Sequence, residues 1–197
     1  MKKTKIFLVF VFLLMMPVLS LNNANATTLY RLPLASNPGY NAWFDHNASV
    51  GSELRYDCVT NFSYDNHHGT DFAASFGTSI YSGAAGSLYY RVDNCPDGSQ
   101  PSCGSYYGNH VRLWHADGRV TIYAHMRQWT PIWYQSVLCG VYIGQSGNSG
   151  QSSGPHLHFE LWQNTGIGTR LDFFGGNCNS PSYWVNQNGG WPTTQCQ

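Results

Sequence analysis

Val111-Arg-Leu-Trp-His-Ala-Asp117-Gly118-Arg-Val-Thr-Ile-Tyr123 reads as two β-strands joined by a tight turn. Its flanks are β-branched, aromatic or alternating, and Asp-Gly supplies the left-handed backbone that reverses a hairpin. Working outward, Val141 to Ile143 and Leu157 to Trp162 have the same character, and Gly, Asn, Asp and Ser clusters separate the segments. Helix signals are scarce. Short helical pieces are predicted only near Met126 to Tyr134 and near Asn41 to Ser49, while 21 Gly and 9 Pro suit many turns. The expected fold is mainly β: a single compact domain built on an antiparallel β-sheet.

Two segments outside that hairpin carry chemistry, His67-His68-Gly69-Thr70-Asp71 and Gly154-Pro155-His156-Leu157-His158-Phe159-Glu160. In an extended strand His67 and Asp71 would share a face, as would His156 and His158, with His68 turned away. His67, Asp71 and His158 thus form a candidate ligand set for one Zn2+. Three protein ligands with a fourth position left to water is the pattern of a catalytic zinc site, and neither segment contains a thiol. Each motif alone also fits packed histidines, and His68 is the alternative to His67 as ligand. Their joint occurrence is the specific signal.

The first 26 residues read as a secretory signal peptide: Lys2, Lys3 and Lys5, then an apolar run from Ile6 to Leu21, then Ala24-Asn25-Ala26 as the cleavage pattern. Cleavage after Ala26 would give a secreted or periplasmic chain with no membrane insertion. Without the leader the chain has 7 Arg against 10 Asp and Glu, a formal charge of −3 with His neutral. That balance argues against nucleic-acid binding and polybasic lipid docking. All six Cys lie beyond the leader, as expected for disulfides in an oxidising compartment. Proximity pairs Cys95 with Cys103 and Cys178 with Cys196, which leaves Cys58 for Cys139.

A zinc hydrolase also needs a group to move protons, and the helical His-Glu-x-x-His arrangement is absent. The only glutamates are Glu53 and Glu160, so histidine is the expected proton carrier. His156 shares a face with His158, and His125 ends a strand where it can project over the sheet. One of the pair would accept a water proton while the other steadies an oxyanion or protonates a leaving amine, with the order left open. Glu160 would orient a ligand histidine. His46, His110 and His115 are expected on the surface or in strands.

Five segments in order, His67-His-Gly-Thr-Asp71-Phe-Ala, Gly77-Thr-Ser-Ile-Tyr-Ser-Gly83-Ala-Ala-Gly86, Gly108-Asn-His-Val111, Tyr123-Ala-His-Met126 and Gly144-Gln-Ser-Gly-Asn-Ser-Gly150 with Gly154 to Glu160, make residues 60 to 162 similar to lysostaphin/LytM-type zinc metallopeptidases. The resemblance implies an antiparallel sheet with a substrate groove, zinc held at His67, Asp71 and His158, and non-ligand catalytic histidines at His125 and His156. It further implies hydrolysis of peptide bonds in bacterial peptidoglycan, at glycine bridges or D-amino-acid cross-links. The expected organisation is a leader (1–26), an N-terminal segment (27–59), the peptidase core (60–162) and a disulfide-pinned C-terminal extension (163–197), acting as a monomer on a peptidoglycan peptide. The aromatic stretch from Arg127 to Cys139, with Trp129, Trp133 and Tyr134, departs from the family pattern and would alter a groove wall. The competing functions are an inactive cell-wall-binding or amidase-activator module of the same fold, and a carbohydrate-binding module. The filled His/Asp set argues against both.

Overall fold

The computed structural model describes residues 27–47, 51–61, 64–164 and 169–197; the expected leader lies outside them. Eight strands form one antiparallel sheet: β1 (Tyr40–Ala42), β2 (Thr70–Phe72), β3 (Gly86–Val92), β4 (Asn109–Trp114), β5 (Val120–Met126), β6 (Ser136–Val137), β7 (Leu157–Trp162) and β8 (Arg170–Leu171). Their order is β1-β2-β7-β5-β4-β3-β6, with β8 paired to the far end of β7. The hairpin read from the sequence is β4–β5. Trp114 faces Val120, Gly118 has a φ of 84°, and the Arg119 amide donates to Asp117 Oδ1.

The two faces of this sheet do different work. Phe72, Leu88, Val111, Leu113, Tyr123, Leu157, Phe159 and Leu161 point to one side and form the main core. Burying each such side chain contributes roughly 1.5–3 kcal/mol. Both ends of the chain complete this core. Tyr30, Leu32 and Leu34 come from before β1, and Phe173, Phe174 and Trp184 from after β8, with Phe173 stacked on Phe159 at 4.2 Å. On the opposite face Val120, Ile122, Ala124 and Trp162 make a small second cluster covered by Tyr107.

No helix occurs among the described residues, so the two predicted helical pieces are corrected. After Met126 the chain turns: Trp129 has a φ of 64°, and Pro131 disfavours helical backbone at Thr130. Around residues 43–47 side chains take the amides a helix would use. Trp43 N donates to Glu53, and Asp45 accepts from the amides of Asn47, Leu54 and Asn66. No described helix is long and apolar enough to cross a membrane.

The disulfides also differ from two of the three expected. Cys95–Cys103 forms, but Cys58 pairs with Cys178 and Cys139 with Cys196. Because Tyr30 pairs with both Tyr183 and Val185, the C-terminal segment folds back along the N-terminal one, bringing Cys178 to Cys58. Nearness in sequence is a poor guide when both ends return to one core. A crosslink removes more freedom from the unfolded chain when it closes a longer loop. Cys58→Ser with Cys178→Ser, which opens a separation of 120 residues, should cost about 4–5 kcal/mol. Cys95→Ser with Cys103→Ser, a separation of 8, should cost about 2–3 kcal/mol. Denaturant unfolding of the two variants checks the order.

Candidate active site

The sheet register makes the first contact of the site. His158 of β7 lies directly opposite Asp71 of β2, and residues opposite each other in a ladder share a face. That face is the one turned away from the main core, since the neighbouring Phe159 and Phe72 point inward. The His158 Nδ1 to Asp71 Oδ1 distance is 2.7 Å. His67 arrives from the turn before β2 and not from a strand, and its Nε2 lies 3.1 Å from His158 Nδ1 and 3.2 Å from Asp71 Oδ1. The turn can come so close because residue 69 is Gly. A Cβ there would sit 2.7 Å from the Phe159 carbonyl oxygen and 2.9 Å from His158 Cε1. The glycine inside His-His-Gly-Thr-Asp therefore lets one ligand segment lie against the other. Asp45 fixes the same turn, accepting from Asn66 N at 2.7 Å and donating its own amide to the His67 carbonyl.

Hydrogen bonds then decide which nitrogen each imidazole offers. His67 Nδ1–H donates to the Trp43 carbonyl at 2.7 Å, which turns Nε2 toward Asp71. His158 Nε2–H donates to Glu160 Oε1 at 2.8 Å, so Nδ1 is the nitrogen turned to Asp71 and the one a cation would displace a proton from. Glu160 itself is held by Tyr107 OH at 3.0 Å and by the Trp162 indole N–H. Burial pushes the Asp71 carboxyl up, but hydrogen bonds from His158 and His67 outweigh it and hold it well below the usual range. Glu160 is likewise drawn down to about 2 despite burial, chiefly by His158. His158, which burial alone would lower, is raised to about 10 by Asp71 and Glu160. Two ionised carboxylates around buried imidazoles call for positive charge at this point. His67, Asp71 and His158 offer one atom each, all within 4.8 Å of one another, so the donor set fits a divalent cation.

His125 and His156 stand beside these three. His125 follows Ala124, which faces His158 across the β5–β7 ladder, so strand alternation alone would point His125 into the core. It does not, because His125 has a φ of 54°, a left-handed conformation unusual for a non-glycine residue. The turn inverts the alternation: the ring enters the cleft and Met126 fills the core in its place. His125 Nδ1–H donates to the Ser149 carbonyl at 2.7 Å, and His156 Nδ1–H to the Gly154 carbonyl at 2.8 Å. Each keeps Nε2 free. The two rings are 4.6 Å apart, and His156 Nε2 lies 3.7 Å from Asp71 Oδ2. Burial, together with the neighbouring His158 and His156, lowers His125 to about 3, so its ring is neutral.

All five residues line one open cleft of about 660 Å³. One wall is the loop closed by Cys95–Cys103, docked through Gln100 N to the Gly150 carbonyl, where Gly108 and Gly150 pack backbone against backbone. Ser99 of that loop and Tyr106 just after it face the cleft, and Tyr64 lies on His67 with ring centroids 4.7 Å apart. His68 also lines the cleft but stays outside the three-atom cluster. Trp129, Trp133 and Tyr134, expected to alter the groove wall, are not among its lining residues and are solvent-exposed. His110 and His115 are buried, and His115 bridges the Ala85 carbonyl and Thr121 Oγ1. Sequence reading missed Tyr107 and the Trp43 carbonyl, since neither lies in a recognisable motif.

The sequence matches the family described as Peptidase family M23 over residues 65–169. Peptidoglycan DD-endopeptidase ShyA of Vibrio cholerae is 38% identical over 95 residues, 48% of this chain and 20% of that protein. DD-carboxypeptidase/endopeptidase Mpg of Neisseria meningitidis is 36% identical over 94 residues, 48% of this chain and 19% of that protein. Among solved structures, a zinc containing peptidase from Vibrio cholerae aligns with a TM-score of 0.49 at 24% identity, covering 79% of this chain and 40% of that one. The matched region thus spans about a fifth of the length of these curated relatives. With the family match extending over more than half of its residues, this chain belongs to peptidase family M23, a family of peptide-bond hydrolases.

Proposed function

We propose that this protein is an exported zinc endopeptidase that hydrolyses peptide bonds in bacterial peptidoglycan, with His67, Asp71 and His158 holding the metal and His125 and His156 handling protons. The observation that carries this reading is the convergence of five side chains on one cleft, three as a ligand cluster and two with a free Nε2 beside it. Two imidazoles and a carboxylate, without thiolates, suit zinc with a position left open. When bound, zinc supplies Lewis acidity and a water acidic enough to ionise near neutral pH. The protein's own groups do the rest. With Nδ1–H of His125 held by Ser149 and that of His156 by Gly154, each ring presents an Nε2 lone pair: one would accept the proton of the attacking water, and the other, once protonated, would donate to the developing oxyanion or to the leaving amine. The activities named for the two sequence relatives support cell-wall cross-links as substrate. Three disulfides and the leader-like start of the chain support export.

Incubating the protein with purified peptidoglycan of different cross-bridge types and weighing the released fragments tests the reading; intact peptidoglycan in every case would refute it. One zinc per chain is expected by elemental analysis. His67→Ala, Asp71→Ala and His158→Ala should each lose most of it, and Gly69→Ala should weaken it roughly 10-fold or more by displacing His158. Full occupancy in Asp71→Ala would sink the ligand assignment. His125→Ala and His156→Ala should keep the metal and the fold while turnover drops ~10²-fold or more. Parental turnover in either variant removes that histidine from the mechanism.

A further inference from the structure

We propose that Arg112 forms a second binding site on the functional face, taking a carboxylate of an acidic peptide whose backbone runs out of the cleft; this rests on the peptidase reading above. The sheet register places it. Arg112 of β4 lies opposite Ile122 of β5, which lies opposite Glu160 of β7, so Arg112 shares a face with Glu160 and His158. Two strand spacings across and two residues along put it roughly 12 Å from the metal ligands, the reach of three or four extended residues.

Its surroundings hold the guanidinium but do not neutralise it. The Arg112 guanidinium carbon lies 5.0 Å from the Tyr90 ring centroid, 5.5 Å from that of Tyr107 and 5.5 Å from that of Trp162. Tyr107 also lines the cleft, so the site is continuous with it. Among the described residues the other six arginines all have oxygen partners. Arg31 donates to two carbonyls, Arg127 to Gln145, and Arg55, Arg91, Arg119 and Arg170 pair with Asp57, Asp93, Asp117 and Glu160. Arg112 alone has no oxygen partner for its outer N–H groups; its Nε, like those of Arg55, Arg119 and Arg170, is buried without a hydrogen-bond partner. Cation–π contacts fix a guanidinium plane while leaving its outer N–H groups free, and that fork matches a carboxylate in two parallel hydrogen bonds. Glu160, a carboxylate on the same face, is already held by His158, Tyr107 and Trp162 and paired with Arg170. The outer N–H groups of Arg112 are therefore left to water or to an acceptor that a ligand brings.

Arg112 lies opposite Ile122 in the ladder and packs against three aromatic rings, so removal alone could loosen the sheet, and the test needs a readout that packing would not move. Dimeric muropeptides with free carboxylates, and the same peptides with those carboxylates converted to amides, serve as matched probes. The wild-type protein should cleave the free-acid form with a kcat/KM roughly 10- to 100-fold above the amide, mostly through KM. Arg112→Gln should abolish this preference while cleaving the amide within about 3-fold of wild type, and Arg112→Lys should keep part of it. Arg91→Gln, the same charge change elsewhere on the chain, should keep all of it. Equal loss on both probes in Arg112→Gln, or no preference in the wild type, overturns the site. If the wild type cleaves neither probe, the peptidase reading fails, and calorimetric binding of the two probes decides the site separately. Tighter binding of the free acid that Arg112→Gln removes would keep it, and equal binding would overturn it.

Discussion

The site depends on one cross-strand pair. His158 and Asp71 are directly opposite in the ladder between two central strands, so their separation is fixed by backbone hydrogen bonds and not by long side chains finding each other. Glu160, two residues further along β7, then falls on the same face and reaches the far nitrogen of His158. One strand thus supplies a candidate ligand and the group that sets its tautomer, as its period of two requires. The same logic makes the pair demanding. Two buried carboxylates bracket one imidazole, and this arrangement is stable only with positive charge between them, whether protons or a cation.

Around that pair the backbone departs from regular structure where the chemistry needs it. Gly69 lets the His67 turn pack on His158, and the left-handed residue at His125 turns an inward position outward. A non-glycine residue in that conformation costs on the order of 1–2 kcal/mol. Three interactions hold it: His125 N to the Tyr107 carbonyl, Gly147 N to the His125 carbonyl, and the ring's own bond to Ser149. These anchors belong to the loops that form the cleft wall, so the wall and the inverted histidine stabilise each other.

Much of this was legible in the sequence. The Asp117-Gly118 hairpin, the strand Leu157–Trp162 and a strand at Tyr142–Gln145 where Val141 to Ile143 was expected follow from local pattern, and local pattern is what sets strands and turns. The five candidate residues converge because two short motifs carried four of them. The route was less legible. His67 sits in a turn, and alternation would have sent His125 into the core; a backbone inversion is invisible to a rule that assumes a regular strand. The disulfides were misread for a related reason. Cys58–Cys178 and Cys139–Cys196 record how the two ends of the chain pack together, a long-range property that spacing does not encode.

The division of the sheet into a core face and a functional face explains why the C-terminal segment is more than a covering flap. Phe173 and Trp184 stack on Phe159, the residue between His158 and Glu160 on β7. Phe159 fixes the inward side of the strand at the point where its outward side carries a ligand and the carboxylate behind it. Looseness on the core side would be felt as a rotation of β7, which would misplace His158 and Glu160 together. The tail that supplies Trp184 is in turn tied down by Cys139–Cys196 and Cys58–Cys178. Crosslinks far from the cleft therefore act on it through the packing under one strand, and the geometry of the His/Asp cluster depends on the core side as well as on the residues that line the cleft.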